Sequence, residues 1–387
     1  MAQQPTPATL SPADTHIAGD LYIGLMSGTS MDGVDAVLAS FEDGSPRIIA
    51  HHSAELPAPL RDTLFKLNEP GHDELARAAR ASNQLADIYA HATQAALAHA
   101  NIDAAQVKAI GAHGQTVRHD PDAGYSIQIN APARLAELTG ISVIADFRSR
   151  DIAAGGQGAP LVPIVHQALF SNQQPRVILN LGGMANITIL HPGVPLAGFD
   201  TGPANVLLDA WVSKQTGAAY DDQGNWAASG QSSPALLRYL MDSEPWLQLP
   251  PPKSTGRHLF NDSWLEERLA HAPQSIPNLD DADIQATLQS LTAHSVIAAI
   301  HQYAAGTQEI IVCGGGARNA GLMHELAMLA GDGCTVTSTE AYGIDAQQVE
   351  ALAFAWLAWA WDNNAPASVP DVTGAHAPRI LGCRYPA

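Results

Sequence analysis

The sequence predicts an α/β fold with two lobes, each built on a mixed β-sheet with helices packed against it. Two observations support this prediction. The chain has 387 residues, enough for two hydrophobic cores, because single domains usually hold roughly 100–200 residues. A pattern of apolar segments, a glycine-bearing loop and a turn occurs near the N-terminus and again in the middle, and helical patterns follow each copy. We therefore expect an inter-lobe cleft.

The first copy predicts three strands and then a long helix. Residues 21–26 are apolar and end in a loop of small residues, 27–33. Two further strand patterns follow at 34–41 and 47–52, separated by a Gly-Ser-Pro turn, which is typical of antiparallel neighbours. The helical pattern covers residues 73–99.

The second copy has the same order. Residues 176–181 are apolar and end in a glycine pair, and strand patterns at 186–190 and 195–199 flank a Pro-Gly turn. A helical pattern follows at 204–216. A third pattern of a strand followed by glycines begins at residue 309, and we place it in the second lobe.

These patterns predict the domain boundaries. Residues 1–20 are polar and offer little to bury, so we expect a flexible leader. The first lobe is predicted to cover residues 21–150, joined by 371–387, and the second lobe residues 151–370.

Composition and charge exclude several classes of protein. The formal net charge of −19 opposes nucleic acid binding. The same charge opposes ATP, so a nucleotide would have to be held by short-range devices such as backbone N–H groups and a divalent cation. No apolar run is long enough to predict a membrane span. The three cysteines have no metal-binding spacing, and we expect free thiols in the cytoplasm.

The loop after the first predicted strand is a candidate phosphate site. Small side chains at a strand end allow a phosphate to approach backbone N–H groups. Asp32 could hold a magnesium ion, directly or through water. The alternative is an ordinary glycine-bearing hairpin. The candidate residues are Gly28, Thr29, Ser30, Met31, Asp32, Gly33, Val34 and Asp35.

Two later glycine loops are weaker candidates, which gain support from the repeated pattern. Gly182, Gly183 and Asn186 could clamp the phosphates from the opposite side of the cleft, and the Gly314, Gly315 and Gly316 turn could admit the adenosine. The sequence has no GxxxxGK[ST] loop, so ATP would be bound by a different architecture.

Asp200 is the candidate catalytic carboxylate. It follows the last strand pattern of the second copy and precedes a helix that Pro203 is suited to start. A carboxylate at the mouth of a cleft can act as a general base. The alternative is a structural carboxylate, either in the turn or at the N-cap of that helix.

Several polar residues are candidates for binding a sugar. Arginine offers a planar fork for a carboxylate, and glutamine can pair with hydroxyl or acetamido groups. The alternatives are solvated loops held by local ion pairs and, for the glutamate, an ordinary surface residue. The candidates are Gln115, Thr116, Arg148, Arg150, Gln157 and Glu350.

These segments resemble the anhydro-N-acetylmuramic acid kinase family, from about residue 21 to residue 387. The most specific parts are residues 26–33 and the run from Arg150 to Pro160. Ser149 stands where the family often has a third basic residue. The segments that carry the resemblance are residues 24–35, 113–119, 146–163, 198–208, 253–257 and 312–317.

The resemblance implies an actin/hexokinase-like, ribonuclease H-like fold with duplicated mixed sheets, and a homodimer. It also implies that 1,6-anhydro-N-acetylmuramic acid, ATP and water give N-acetylmuramate 6-phosphate and ADP, with Asp200 as the catalytic aspartate. Two alternatives stay open. One is a conventional sugar kinase of the same superfamily that acts on a free hydroxyl, and the other is a nucleotide-dependent interaction protein.

Overall fold

The computed structural model describes residues 18–28, 31, 33–42, 44–257 and 259–387. The predicted leader, apart from residues 18–20, lies outside this part of the chain, and so do Thr29, Ser30 and Asp32 of the first candidate phosphate loop. No helix within the described ranges is both long enough and apolar enough to cross a bilayer.

The strands of the described residues form two mixed sheets and a separate hairpin. They are β1 (Asp20–Met26), β2 (Gly33–Glu42), β3 (Ser45–Glu55), β4 (Val107–Ala112), β5 (Gln115–Asp120), β6 (Tyr125–Ile129), β7 (Val143–Ala145), β8 (Arg176–Leu181), β9 (Met184–Leu190), β10 (Ala197–Pro203), β11 (Glu309–Cys313), β12 (Thr335–Ser338) and β13 (Cys383–Tyr385). The first sheet has the order β13-β7-β4-β1-β2-β3, the second has the order β10-β9-β8-β11-β12, and β5 pairs with β6.

The two sheets repeat one topology. In the first sheet, β1, β2 and β3 form an antiparallel meander, and β4 and β7 continue parallel to β1 on its other side. In the second sheet, β8, β9 and β10 form the meander, and β11 and β12 continue parallel to β8. The predicted α/β fold with duplicated mixed sheets is therefore confirmed.

Helices cover the sheets on both faces. The α-helices of the described residues are α1 (Ala58–Lys66), α2 (Glu74–Ala100), α3 (Pro132–Thr139), α4 (Ser149–Ala153), α5 (Pro163–Phe170), α6 (Asn205–Thr216), α7 (Pro234–Asp242), α8 (Asp262–Ala270), α9 (Asp281–Tyr303), α10 (Ala320–Ala330), α11 (Val349–Asp362) and α12 (Pro370–Thr373). Side chains of α2 pack with one face of the first sheet, those of α11 pack with its other face, and α9 and α10 pack against the second sheet.

Glycines let α11 approach the first sheet very closely. A side chain at Gly24 of β1 would overlap the carbonyl oxygen of Ala351, and one at Gly111 of β4 would overlap that of Phe354. The helix therefore rests directly on strand backbone, and the buried side chain of Phe354 fills the space beside it. This contact fixes the first turn of α11, which carries Glu350, near the carboxyl ends of β1 and β4.

The C-terminal segment adds an edge strand to the first sheet. β13 pairs antiparallel with β7, with Cys383 opposite Ala145. α11, which the predicted division assigns to the second lobe, also packs on this sheet. The predicted lobe boundaries stay a prediction.

Candidate active site

The described ends of the first candidate phosphate loop are braced by the connection between β4 and β5. Ser27 Oγ donates to Gln115 Oε1 at 2.6 Å, and both side chains are buried. The His113 backbone N–H donates to the Leu25 carbonyl at 3.0 Å. These bonds tie the start of the loop to the first sheet, and they engage Gln115 as a buried support for Ser27.

The loop returns through Met31 into β2. The Met31 N–H donates to the Gly28 carbonyl at 3.2 Å, and Met31 has a φ of 56°, which is uncommon for a residue with a side chain. Gly33, Val34 and Asp35 form the beginning of β2. Asp35 Oδ1 accepts a hydrogen bond from Ser53 Oγ at 2.5 Å.

The second glycine loop connects β8 to β9 and borders open space. The Gly182 carbonyl accepts from the Asn205 N–H, and the Gly183 carbonyl accepts from the Ala204 N–H, both at 3.0 Å. These bonds turn the loop carbonyls toward the start of α6. A side-chain carbon at Gly182 would have no neighbour closer than 3.7 Å, and one at Gly183 would have none within 4 Å, so the space beside both residues is open.

The third glycine turn lies against the end of β8. Gly314 has a φ of +81°, and a side-chain carbon there would lie 2.5 Å from Asn180 Oδ1. A side-chain carbon at Gly316 would lie 2.6 Å from Leu181 Cβ. Because β8 and β11 are parallel neighbours, their carboxyl ends meet at one edge of the sheet. The structure thus brings the second and third candidate loops together.

Asp200 lies within β10, which extends to Pro203, whereas α6 begins only at Asn205. The N-cap alternative is therefore wrong. The carboxylate is instead held by a neighbouring loop: Asp200 Oδ2 accepts from the Thr255 N–H at 2.8 Å and from Ser254 Oγ at 3.0 Å. The Asp200 N–H also donates to the Lys253 carbonyl at 3.1 Å.

The surroundings of Asp200 act on its acidity in opposite directions. Burial raises the pKa of its carboxyl above the ordinary aspartate value, while the bonds from Thr255 and Ser254 and the charge of Lys253 oppose that shift. The net pKa is raised. A carboxylate with a raised pKa that remains partly exposed is a stronger proton acceptor than an ordinary surface aspartate.

Strand register places Asp200 in a row with the second loop. Asp200 pairs with Asn186, Asn186 pairs with Asn180, and Asn180 pairs with Cys313. Neighbouring strands lie about 4.8 Å apart, so the backbones of Asp200 and Asn180 are roughly 10 Å apart across the sheet. Asn180 Nδ2 also donates to Glu350 Oε1 at 3.5 Å. The edge of the second sheet that carries Asp200 therefore also contacts the second predicted carboxylate, Glu350 of α11.

Arg148 follows β7 of the first sheet, and its charge interacts with that of Glu350. Its Nη1 donates to the Gly158 carbonyl at 2.7 Å, and its Nη2 donates to His113 Nε2 at 2.9 Å. Burial lowers the pKa of Arg148 to about 10, and the charge of Glu350 opposes this shift. Burial, followed by the charge of Arg148, lowers the pKa of His113 to about 3. At neutral pH the arginine is therefore charged and the histidine is neutral.

The remaining predicted sugar residues lie elsewhere. Arg150 is exposed and lines an open cavity of about 490 Å³ with Trp361 and Arg379. Gln157 is exposed, and its backbone N–H donates to the Thr373 carbonyl at 2.7 Å. Thr116 Oγ1 accepts from Gln128 Nε2 at 3.1 Å in the β5–β6 hairpin. A second cavity of about 260 Å³ is lined by residues that include His113 and Gln128.

Sequence patterns gave no role to Asn180, Ser254 and Thr255. Asn180 joins the second sheet to Glu350, and Ser254 and Thr255 orient Asp200. Ser254 and Thr255 lie 54 and 55 positions from Asp200 in sequence, so no local spacing could indicate the contact. The successive pairing of three predicted strands, which became β8, β9 and β10, could have placed Asn180 in the row with Asp200.

The structure gives no geometry for the predicted magnesium site, because Asp32 lies outside the described residues. Within the described ranges, no group of three or more His, Cys, Asp or Glu side chains could hold a metal ion. Asp35 is the described carboxylate nearest to Asp32 in sequence, and it accepts a hydrogen bond from Ser53. An oxygen-donor carboxylate such as Asp32 suits magnesium chemically.

The sequence profile of the anhydro-N-acetylmuramic acid kinase family matches residues 20–387. The chain belongs to this family. It is 57% identical to the anhydro-N-acetylmuramic acid kinase of Bordetella parapertussis over 373 residues, which cover 96% of this chain and 98% of that protein. It is 50% identical to the kinase of the same name from Chromobacterium violaceum, over 95% of this chain and 99% of the relative. The family prediction is confirmed, and the protein is a kinase of amino-sugar metabolism.

Solved structures show a distant likeness. Component A of (R)-2-hydroxyglutaryl-CoA dehydratase from Acidaminococcus fermentans is 13% identical and has a TM-score of 0.47, over 87% of this chain and 97% of that one. At this similarity the likeness says nothing about ligands. The assignment to the anhydro-N-acetylmuramic acid kinase family rests on the sequence relatives.

Proposed function

We propose that this anhydro-N-acetylmuramic acid kinase uses ATP and water to open 1,6-anhydro-N-acetylmuramic acid and to phosphorylate O6, giving N-acetylmuramate 6-phosphate and ADP. The observation that supports this reaction best is the setting of Asp200. Its carboxylate is oriented by Ser254 and Thr255 and has a raised pKa, in a chain that matches the family over residues 20–387.

Asp200 serves as the general base in this proposal. An anhydro sugar has no free 6-hydroxyl, so the proton must come from water. Asp200 takes that proton, the water oxygen bonds to C1, and the C1–O6 bond breaks. The electron pair left on O6 attacks the γ-phosphorus of ATP as the β–γ bridging bond breaks, and ADP leaves. One base thereby drives both ring opening and transfer.

The glycine loops are proposed to hold the nucleotide. The open space beside Gly182 and Gly183 and the contact of the Gly314 turn with Asn180 favour phosphate and adenosine binding at this edge of the second sheet. We assign Gly28, with the rest of the first loop, to the opposite side of the phosphates. Positioning and electrostatic stabilisation supply most of the catalysis in phosphoryl transfer.

Magnesium is proposed to accompany ATP, with Asp32 as its protein carboxylate. When bound, the ion neutralises charge on the phosphate oxygens and so stabilises transfer. Backbone N–H groups of the loops complement this effect, because an acidic chain needs local donors to hold a triphosphate.

Arg148 is proposed to pair with the lactyl carboxylate of the sugar. It is charged, partly exposed and fixed by Gly158 and His113 on the side that faces Glu350. Glu350 is proposed to orient the sugar or the attacking water. Sugar contacts by Gln115, Thr116, Arg150 and Gln157 stay predictions.

Isotope labelling tests the reaction. The kinase is incubated with ATP and anhydro sugar in oxygen-18 water, and the product is analysed by mass spectrometry at short times. We expect one label on the C1 hydroxyl and none in the phosphate ester. Unlabelled product kept in the same water measures exchange at C1 without catalysis.

The same assay distinguishes the proposed reaction from that of a conventional sugar kinase. A kinase that acts on a free hydroxyl would release ADP with N-acetylmuramic acid and would place no label at C1 beyond the exchange control. ADP release that is indifferent to any sugar would instead favour the nucleotide-dependent interaction protein. Either result would refute the proposed reaction.

We also propose that the kinase acts in the cytoplasm, where its thiols stay free, and that it forms a homodimer, as the family resemblance implies. Light scattering coupled to size-exclusion chromatography measures the oligomeric state. A mass near the 40.6 kDa of one chain at micromolar concentration would contradict the dimer.

A further inference from the structure

A fully buried carboxylate lies beside the candidate site without an assigned role. Asp151 has no exposed surface, and the described residues provide no cation within ion-pair distance of it. Its oxygens accept from the Gly158 N–H at 2.8 Å, from Thr373 Oγ1 at 2.8 Å, and from Ser368 Oγ. Burial of a charged carboxylate is costly unless hydrogen bonds compensate it. The three donors, one from the nearby 155–158 turn and two from the C-terminal segment, provide that compensation.

The chain around Asp151 is folded too tightly for side chains. A side-chain carbon at Gly156 would overlap Asp151 Oδ2. One at Gly155, where φ is +86°, would lie 2.6 Å from the ring of His376. The glycines of this run are therefore needed to close the 155–158 turn around the carboxylate and against the C-terminal segment.

The 155–158 turn links Asp151 to Arg148 through Gly158. Gly158 donates its N–H to Asp151 and accepts from Arg148 Nη1 through its carbonyl. Arg148 Nη2 donates to His113, whose ring is neutral. The guanidinium is thus fixed at two nitrogens, and one of these two contacts depends on a turn that Asp151 organises.

We propose that Asp151 is a positioning residue for substrate recognition: it ties Ser368 and Thr373 of the C-terminal segment to the 155–158 turn and thereby aims Arg148 at the anionic group of the sugar. This inference rests on the proposed function of Arg148. It gives the C-terminal segment a role in binding, although that segment does not need to touch the substrate.

The test is the variant Asp151→Asn, which keeps the shape of the side chain and removes its charge. We expect the KM for the anhydro sugar to rise at least tenfold, while kcat and the KM for ATP stay within about twofold. Arg148→Lys should also raise the sugar KM, and the double variant should be no worse than Arg148→Lys alone. Full additivity, or an unchanged sugar KM in folded Asp151→Asn, would overturn the proposal.

Two further variants separate positioning from general destabilisation. Thr373→Val removes one donor and leaves the carboxylate, so it should raise the sugar KM in the same way if Asp151→Asn fails to fold. Thr188→Val removes a buried threonine contact to His166 of 2.9 Å in the second sheet, and it should lower the melting temperature without changing KM. An equal KM change in both threonine variants would refute a specific role.

A measurement without substrate distinguishes this proposal from the proposed reaction. The side-chain Nε–H signal of Arg148, assigned by its loss in Arg148→Lys, should report a slowly rotating guanidinium in the parent and a faster-rotating one in Asp151→Asn, where the contact with His113 remains. The same rotation in both proteins would overturn the positioning role. A parent enzyme that lacks turnover with the anhydro sugar would refute only the proposed reaction.

Discussion

Replacing Asp200 by asparagine tests the assignment of the base most directly. The asparagine oxygen can still accept from the Thr255 N–H and from Ser254 Oγ, which now lie at 2.8 and 3.0 Å from Oδ2. The geometry of the site is thereby kept, while the group that accepts the proton is lost. General-base catalysis contributes about 100- to 10,000-fold, so kcat should fall by that factor, equivalent to about 3–5 kcal/mol of barrier.

A coupled ADP-release assay with saturating ATP and anhydro sugar measures this loss. The sugar KM should stay within a few-fold, because the variant removes a proton acceptor and no binding group. Asp262→Asn, which neutralises an exposed carboxylate on α8, serves as the charge control and should keep full turnover. If folded Asp200→Asn retained kcat within tenfold of the parent, Asp200 would not be the base.

The same variant should have a measurable effect on stability. The folded pKa of Asp200 is raised, so the folded state is relatively favoured below the ordinary aspartate pKa, and this advantage is lost as pH rises through the folded pKa. At neutral pH, Asp200→Asn should therefore be at least as stable as the parent. The difference should vanish in acid, and thermal melts at several pH values would check both expectations.

Three more variants test other parts of the structure. Lys253→Met removes a charge that lowers the pKa of the base, so the acidic limb of the kcat profile should move to higher pH, and an unmoved limb would exclude this electrostatic role. Gly24→Ala should destabilise the fold by more than about 3 kcal/mol, because the added methyl group overlaps α11. Gly333→Ala, whose methyl group would lie in open space, should be nearly neutral; chemical denaturation measures both variants. Glu309→Gln breaks a mostly buried ion pair of 2.7 Å with Arg176 and should cost about 3–5 kcal/mol. Glu266→Gln breaks an exposed ion pair and should cost under about 1 kcal/mol. Equal effects on the free energy of unfolding would contradict the burial argument.

The duplicated sheets could be predicted because each strand signal is local. The apolar run at 176–181 coincides with β8, and the helical pattern at 204–216 differs from α6 by one residue. Alternating apolar positions and turn residues act over a few residues, so a sequence pattern is sufficient to detect them.

Residues 113–118 show where local patterns fail. The sequence offered a sugar-binding segment or solvated loops, but the structure places Gln115 at the start of β5, fully buried beneath Ser27. A glutamine in a polar segment carries no signal of burial, because its burial depends on a partner 88 positions away. Tertiary hydrogen bonds of this kind cannot be predicted from composition or spacing.

The candidate site also contains some residues that could be predicted from the sequence and some contacts that could not. Asp200 and the glycine loops follow strand ends and could be found from the sequence, whereas the supports of Asp200 and the divergence of Arg148 from Arg150 could not. Only Ser149 separates these arginines in sequence, yet Arg148 reaches His113 and Arg150 lines an outer cavity. A short helix, α4, begins between them, and its direction is set by packing.

The contact of α11 with bare strand backbone has a mechanical consequence. Since carbonyl groups of the helix meet Gly24 and Gly111 directly, the helix cannot slide without moving the first sheet. Glu350 therefore travels with that sheet, while Asn180, 3.5 Å away, belongs to the other. Any rotation of one half of the enzyme against the other must change the separation of these two side chains, and a pair of spectroscopic labels placed one turn from each would record it.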